Sequence, residues 1–133
     1  MTARYLLDTN ILSAAIREPQ GELARRLRRQ ADEICTSIIV AAELRFGAAN
    51  KSSAYLTELV EGLLRRIEVR SFDMPADQIY AVVRADLIRR GRRIGHLDEL
   101  IATHALAEDC VLVTDNERDF AQVDGLRIEN WLR

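Results

Sequence analysis

Five carboxylates stand at points in the chain where an acid has work to do: Asp8, Glu43, Asp98, Asp115 and Asp119. Asp8 ends the apolar run Tyr5-Leu6-Leu7, Asp115 follows Val111-Leu112-Val113-Thr114, and Asp98 opens a helical stretch. Glu43 is the most informative, because Val40, Ala41, Ala42 and Leu44 surround it. A carboxylate in such company is costly unless something pairs with it. Converging carboxylates repel unless a hard cation joins them. Oxygen ligands without Cys or an evident His select Mg²⁺ or Mn²⁺ over zinc. Magnesium held this way keeps waters and takes further ligands from substrate phosphates, which points to metal-assisted phosphodiester hydrolysis.

Each acid also has a plainer account. Asp8 could simply cap a helix over Ile11–Ile16, with Thr9 and Asn10 holding the turn. Asp98 sits where a helix dipole favours an anion. Glu43, inside the helix Ile38–Ala49, has no such account. A second chemistry would make Asp8 the nucleophile of an aspartyl-phosphate phosphotransferase. That reaction usually enlists a lysine for phosphate charge, and Lys51 lies in the loop Ala49–Ser53 rather than at a strand end. His96, beside Asp98, and His104, on an apolar helix side, are general-base candidates that read better as a turn residue and a hydrogen-bonded core residue.

The elements that must position these groups alternate. Short strands are expected at Tyr5–Leu7, Ile34–Thr36, Glu68–Phe72, Val111–Val113 and Leu126–Ile128. Between the first four run amphipathic helices. After Gly21 the stripe Leu23, Leu27 and Ala31 faces inward, with Arg25, Arg26, Arg28 and Arg29 in water. Ser37 could cap the next helix, whose inward positions are Ile39, Ala42, Phe46 and Ala49. Leu56, Leu59, Val60, Leu63, Leu64 and Ile67 make the clearest stripe. Pro75 and Asp77 open a helix carrying Ile79, Val82, Val83 and Leu87, closed by Gly91, with Asp86 expected to pair with an arginine. Leu97, Leu100, Ile101, His104 and Ala105 share a face of the last long helix. Such alternation implies a parallel sheet between two layers of helices, an α/β/α sandwich.

The 133 residues suit a single domain spanning 1–133, with 48% hydrophobic and 30% charged residues, as in an ordinary globular protein. No apolar run reaches the length of a membrane span and the start lacks a signal-peptide core, so no membrane association and the cytosol are the default expectations. The net charge of −2 gives no global field for nucleic acid, so binding would need a local patch. Lys51 is the only lysine among 19 Lys and Arg residues. Guanidinium forks grip phosphate oxygens, although genomic base composition gives the same bias. The turn Arg89-Arg90-Gly91-Arg92-Arg93 leads directly to Asp98, which makes Arg92 and Arg93 candidates for guiding a substrate phosphate, a solvated charge run being the equal alternative. Cys35 and Cys110, with no Cys or His at ligand spacing, read as small buried residues and are expected to be free thiols.

Leu6-Leu7-Asp8-Thr9-Asn10, Ala42-Glu43-Leu44…Gly47, Gly91…Gly95-His96-Leu97-Asp98…Ile101-Ala102, Leu112-Val113-Thr114 and Asp119-Phe120…Glu129-Asn130-Trp131 resemble, in order, the PIN-domain toxin ribonucleases called VapC. The resemblance spans nearly the whole chain. It implies a five-stranded sheet of order 3-2-1-4-5, ribonuclease activity, and Mg²⁺ or Mn²⁺ held by Asp8, Glu43 and Asp98. It implies also a cognate VapB-like antitoxin and a homodimer. A fourth acid commonly follows the position of Thr114. Here the usual slot holds Asn116, with Asp115 before it and Asp119 after, so all three stay in play. Asn10 and Thr114 complete the substrate-contact candidates with Arg92 and Arg93. Val40 departs from the pattern, since many relatives place Thr or Ser there, which leaves the start of that helix open. A binding module that shares the fold without the chemistry is the remaining alternative, and three costly carboxylates argue against it.

Overall fold

Three consecutive residues, Tyr5–Leu7, form the central strand β1, and the rest of the sheet is laid on either side of it. The computed structural model describes residues 3–133. Strands β2 (Ile34–Ser37), β3 (Glu68–Arg70), β4 (Val111–Val113) and β5 (Ile128–Glu129) complete one parallel sheet in the order β3-β2-β1-β4-β5. Leu6 and Leu7 point to opposite faces, yet both are fully buried, as are Leu112 and Val113. Helices therefore cover both faces, and the apolar β1 and β4 read as runs without alternation for that reason. Cys35 and Cys110 are free thiols, as expected. They lie on the same sheet face, where the Cys110 thiol and burial together push the Cys35 thiol up.

Register decides what emerges at the sheet's carboxyl edge. Leu7 is level with Thr36 of β2 and with Val113 of β4. The next residues in each strand, Asp8, Ser37 and Thr114, therefore surface side by side. In an open α/β sheet this is the edge where ligands bind.

Seven helices connect the strands: α1 (Thr9–Arg17), α2 (Glu22–Arg29), α3 (Ile38–Asn50), α4 (Ala54–Arg66), α5 (Ala76–Arg89), α6 (His96–Ala107) and α7 (Glu117–Phe120). Helix α3 starts at Ile38 because Ser37 Oγ accepts the Ile39 N–H at 3.0 Å, so Val40 is free to be a buried core residue. Ser53 caps α4 in the same way. Gly91 closes α5 at φ +67°, where the Arg92 N–H reaches back to the Leu87 carbonyl. Asp86 pairs with Arg89 and Arg90 of its own helix.

Six inward assignments made from periodicity change. On α3 the buried side is Val40, Ala41, Leu44 and Ala48, while Ala42 and Ala49 face out and Phe46 is 68% exposed. The helix is apolar nearly all round, so periodicity alone could not choose its face. Val82 on α5 and Leu97 on α6 are exposed. Ala31 lies in a separate one-turn 3₁₀ segment and is exposed. Arg26 leaves the solvated arginine group, because its guanidinium packs 3.8 Å over the Trp131 ring. The last strand begins at Ile128, with Leu126 packed on the core ahead of it.

Candidate active site

Asp8 does more than cap a helix. One oxygen accepts the Thr9 N–H at 2.7 Å and caps α1, while the other accepts the Thr114 hydroxyl at 2.7 Å. The residue is only 4% exposed. Burial raises its pKa, the Thr114 and Thr9 hydrogen bonds oppose the rise, and the Glu43 charge adds to it.

Glu43 projects from the middle of α3 toward the same edge. The Thr9 hydroxyl donates to its Oε1 at 2.6 Å. Asp98 is the third residue of α6, in the first turn. Its carboxyl is raised to about 6, first by burial and then by the charges of Asp8, Glu43 and Asp119, with the Asn116 amide opposing. Three other carboxylates thus act on Asp98 at once. The Asn116 amide donates to Asp98 Oδ2 at 3.3 Å and to Asp119 Oδ2 at 3.2 Å. Its own backbone N–H is held by Thr114 Oγ1 at 3.0 Å.

The three residues left in play after Thr114 separate cleanly. Asp119 joins Asp8, Glu43 and Asp98, and Asn116 is the strut between Asp98 and Asp119. Asp115 is exposed and turned elsewhere: its N–H approaches Asn10 Oδ1 at 3.4 Å and its Oδ1 accepts the Asn130 amide at 2.9 Å. Asn10 thereby links the first turn of α1 to the segment after β4. Arg92 and Arg93 are exposed on the turn before α6. His96 is exposed, with its Nε2 3.4 Å from Arg84 Nη1. Among residues the sequence did not single out, Glu99 is 5% exposed and held by Arg84 at 2.6 Å. Thr9 was read only as a turn residue; its adjacency to Asp8 was the available signal for its hold on Glu43.

Electrostatically the cleft is one-sided. Among the described residues, no arginine, lysine or histidine forms an ion pair with Asp8, Glu43, Asp98 or Asp119. Nor do three His, Cys, Asp or Glu side chains among them converge at direct metal-ligand spacing. The donor set, oxygen atoms only with four acidic groups to balance, suits a hard cation that keeps part of its water shell. Zinc, which asks for a closed shell with nitrogen or sulfur, finds no such ligands here.

The sequence matches the PIN domain family over residues 5–126. It is 33% identical over 129 residues to the tRNA(fMet)-specific endonuclease VapC of Shigella flexneri, covering 96% of this chain and 98% of that protein. Ribonuclease VapC2 of Haemophilus influenzae is 34% identical over 132 residues, covering 97% and 98%. Among solved structures, DNA-bound VapBC from Salmonella typhimurium superposes with a TM-score of 0.91 at 35% identity, covering 98% of this chain and 99% of that one.

Proposed function

The chain belongs to the PIN-domain family and within it to the VapC ribonucleases, and from that premise we propose that it is the ribonuclease toxin of a toxin–antitoxin pair, hydrolysing RNA phosphodiester bonds with Mg²⁺ or Mn²⁺ at Asp8, Glu43 and Asp98. Asp119 is the fourth acid of the set. The observation that supports this reading above all others is four carboxylates in one cleft with no cationic side chain among the described residues to balance them. An aspartyl-phosphate reaction at Asp8 is disfavoured, because it usually enlists a lysine for phosphate charge and Lys51 stands exposed at the far end of α3.

When bound, the metal supplies an activated water and a positive charge against the phosphate. The protein's own groups do the orienting. The Thr114 and Thr9 hydroxyls aim the carboxylates of Asp8 and Glu43, and the Asn116 amide aims those of Asp98 and Asp119. Asp98, raised to about 6, can hold a proton just below neutrality, and a bound cation would favour its ionised form. Asn10 stands at the edge the RNA approaches, Thr114 is fully buried behind Asp8 and serves that carboxylate rather than the substrate, and Arg92 and Arg93 offer guanidinium forks to the phosphates.

Two apolar surfaces suit the partners. A groove of about 400 Å³ between α1, α2 and α4, lined by Ala15, Ile16, Leu27, Leu59, Leu63 and Ile67, suits an apolar segment of a VapB-like antitoxin; the structural neighbour is itself a VapBC complex. The outward stripe Ile38, Ala42 and Phe46 on α3 suits a second copy of the chain. Among the described residues no helix is long and apolar enough to cross a membrane.

Asp8→Asn is the test. Asn preserves the α1 cap, so a residue that only capped would lose little. As a ligand among like charges, it should leave the metal-free protein as stable as the parent or more so. Stabilisation by Mg²⁺, about 2.7 kcal/mol at a hundredfold excess over Kd, should shrink. Cleavage of RNA, with initiator tRNA as first substrate, should fall by orders of magnitude. A variant that cuts at the parent rate overturns the mechanism.

A further inference from the structure

Ser37 and Glu43 lie six positions apart, from the N-cap of α3 into its second turn, and Asp98 and His104 lie six positions apart on α6. The ends of these two segments meet in matching pairs. His104 Nδ1 lies 2.7 Å from Ser37 Oγ, and the Glu43 charge acts on Asp98. The segments therefore run antiparallel, with a hydrogen bond at one end and two carboxylates at the other, about 9 Å along each helix. We propose that His104 is a positioning residue: its bond to Ser37 pins α6 against the start of α3 and so fixes the spacing of Asp98 and Glu43, a role that rests on the metal cleft proposed above.

The local chemistry favours a pin over simple filling. Ser37 is fully buried, and its Oγ already accepts the Ile39 N–H at 3.0 Å. Its own hydrogen is then free to donate to His104 Nδ1, which makes the imidazole neutral with its proton on Nε2. Burial pushes the imidazole pKa down, in keeping with that form. Nε2 makes no hydrogen bond of full geometry, although the Ser71 backbone lies close enough to act on the ring, and the ring is 1% exposed with Phe72 packed edge-on at 5.3 Å. A buried N–H without a well-formed partner costs stability. A leucine would fill the same space at less cost, so what histidine adds is the Nδ1 acceptor. Packed apolar surfaces can slide by one residue, 1.5 Å on a helix, whereas a directed hydrogen bond does not follow. The pin continues into the sheet, where the neighbouring Thr36 hydroxyl donates at 2.7 Å to the carbonyl of Leu7, the residue before Asp8.

The experiment compares the parent with His104→Leu, His104→Gln and His104→Asn. Asn carries an oxygen where Nδ1 stands, Gln carries one nearer Nε2, and Leu carries none. Mn²⁺ binding is read from the ion's paramagnetic resonance, kcat from RNA cleavage, and stability from urea unfolding. Leu and Gln should lose roughly 10- to 100-fold in Mn²⁺ affinity or kcat, as when a ligand's support is removed. Asn should recover most of that loss although it packs worst, so activity will not follow the urea midpoints. Should Leu not fold, the Gln and Asn pair gives the same contrast. Parental Mn²⁺ affinity and kcat in Leu and Gln would overturn the pin, as would losses that simply track stability. A parent that binds no Mn²⁺ overturns the metal reading first, and the pin with it.

Discussion

The Thr9 hydroxyl donates a 2.6 Å hydrogen bond to Glu43 Oε1, joining residues 34 positions apart. Thr9 is the first residue of α1 and Glu43 the sixth of α3, so one short bond holds the turn after β1 against the helix after β2. It also supplies the half-buried Glu43 with a donor in a cleft otherwise crowded with acceptors. Thr9→Val keeps the branched shape and removes only that donor. We expect kcat for RNA to drop about 10- to 100-fold, as for other supports of metal ligands. Stability should fall by only about 1 kcal/mol, one hydrogen bond's worth. Cleavage assays beside urea unfolding separate the two, and unchanged kcat would make Thr9 a turn residue alone.

Asp119→Asn and Asp115→Asn should behave oppositely. Asp119 shares the Asn116 amide with Asp98 and adds to the charge on it. Its loss should weaken Mg²⁺-induced stabilisation and cleavage together. Asp115 is exposed and bonded to Asn10 and Asn130. Its neutralisation should leave metal response near that of the parent. Thermal shift against a Mg²⁺ series is the measurement, and the reverse ranking would put the fourth acid at Asp115.

How much of this was legible beforehand differs by residue. The strand ends at Leu7 and Val113 were readable, since a β-branched or leucine run stopping at a polar residue marks a buried strand meeting solvent. Register then brings Asp8 and Thr114 together, which no local pattern states but the sheet order implies. The order itself came through the family resemblance. The choice among Asp115, Asn116 and Asp119 was not legible, because it depends on how a four-residue helix, α7, turns after Asn116. Nor was the buried side of α3, where Val40 and Ala42 are equally apolar and only packing distinguishes them. Ser37 was visible as a cap, but its bond to His104, 67 residues away, was not.

That ambiguity on α3 has a consequence. Its outward stripe ends in Phe46, 68% exposed. If a second copy covers it, Phe46→Glu should yield monomers at concentrations where the parent dimerises, because a charge would be buried against apolar surface. Folding should be unaffected, since Phe46 packs on nothing in its own core. Sedimentation at equilibrium reads the change, and an unaltered mass would move the interface elsewhere.

Arg92 and Arg93 are exposed and have no ion-pair partner among the described residues. Replacing both by Ala should weaken RNA binding and flatten its salt dependence. Each lost phosphate contact removes about 0.7 of log–log slope on single strands. Binding titrations across a salt series, on a cleavage-inactive background such as Asp8→Asn, give the slope directly. An unchanged slope would mark the turn as a solvated charge run.

Asp98 supplies a test by pH. Its folded-state pKa is raised from 3.8 to about 6, chiefly by burial and then by Asp8, Glu43 and Asp119. Between those values the folded protein holds a proton that the unfolded chain releases, so the folded state binds more protons there. Stability then falls as pH rises through this window. The contribution is fully present below about pH 3.8 and is lost by the time pH has passed about 6. Asp98→Asn abolishes that titration and also relieves the repulsion the other three acids feel. Urea midpoints of parent and variant, measured with chelator from about pH 4 to pH 7, should therefore diverge as pH rises, the variant becoming the more stable. Taking the difference between the two cancels the opposite trend from surface carboxylates such as Glu22 and Glu61, whose pKa values their arginine partners lower. Adding Mg²⁺ should narrow the gap from the parent's side, because a cation favours the ionised form. Parallel curves without metal would show that Asp98 does not feel its three neighbours, and the cluster would lose its case as a cation site.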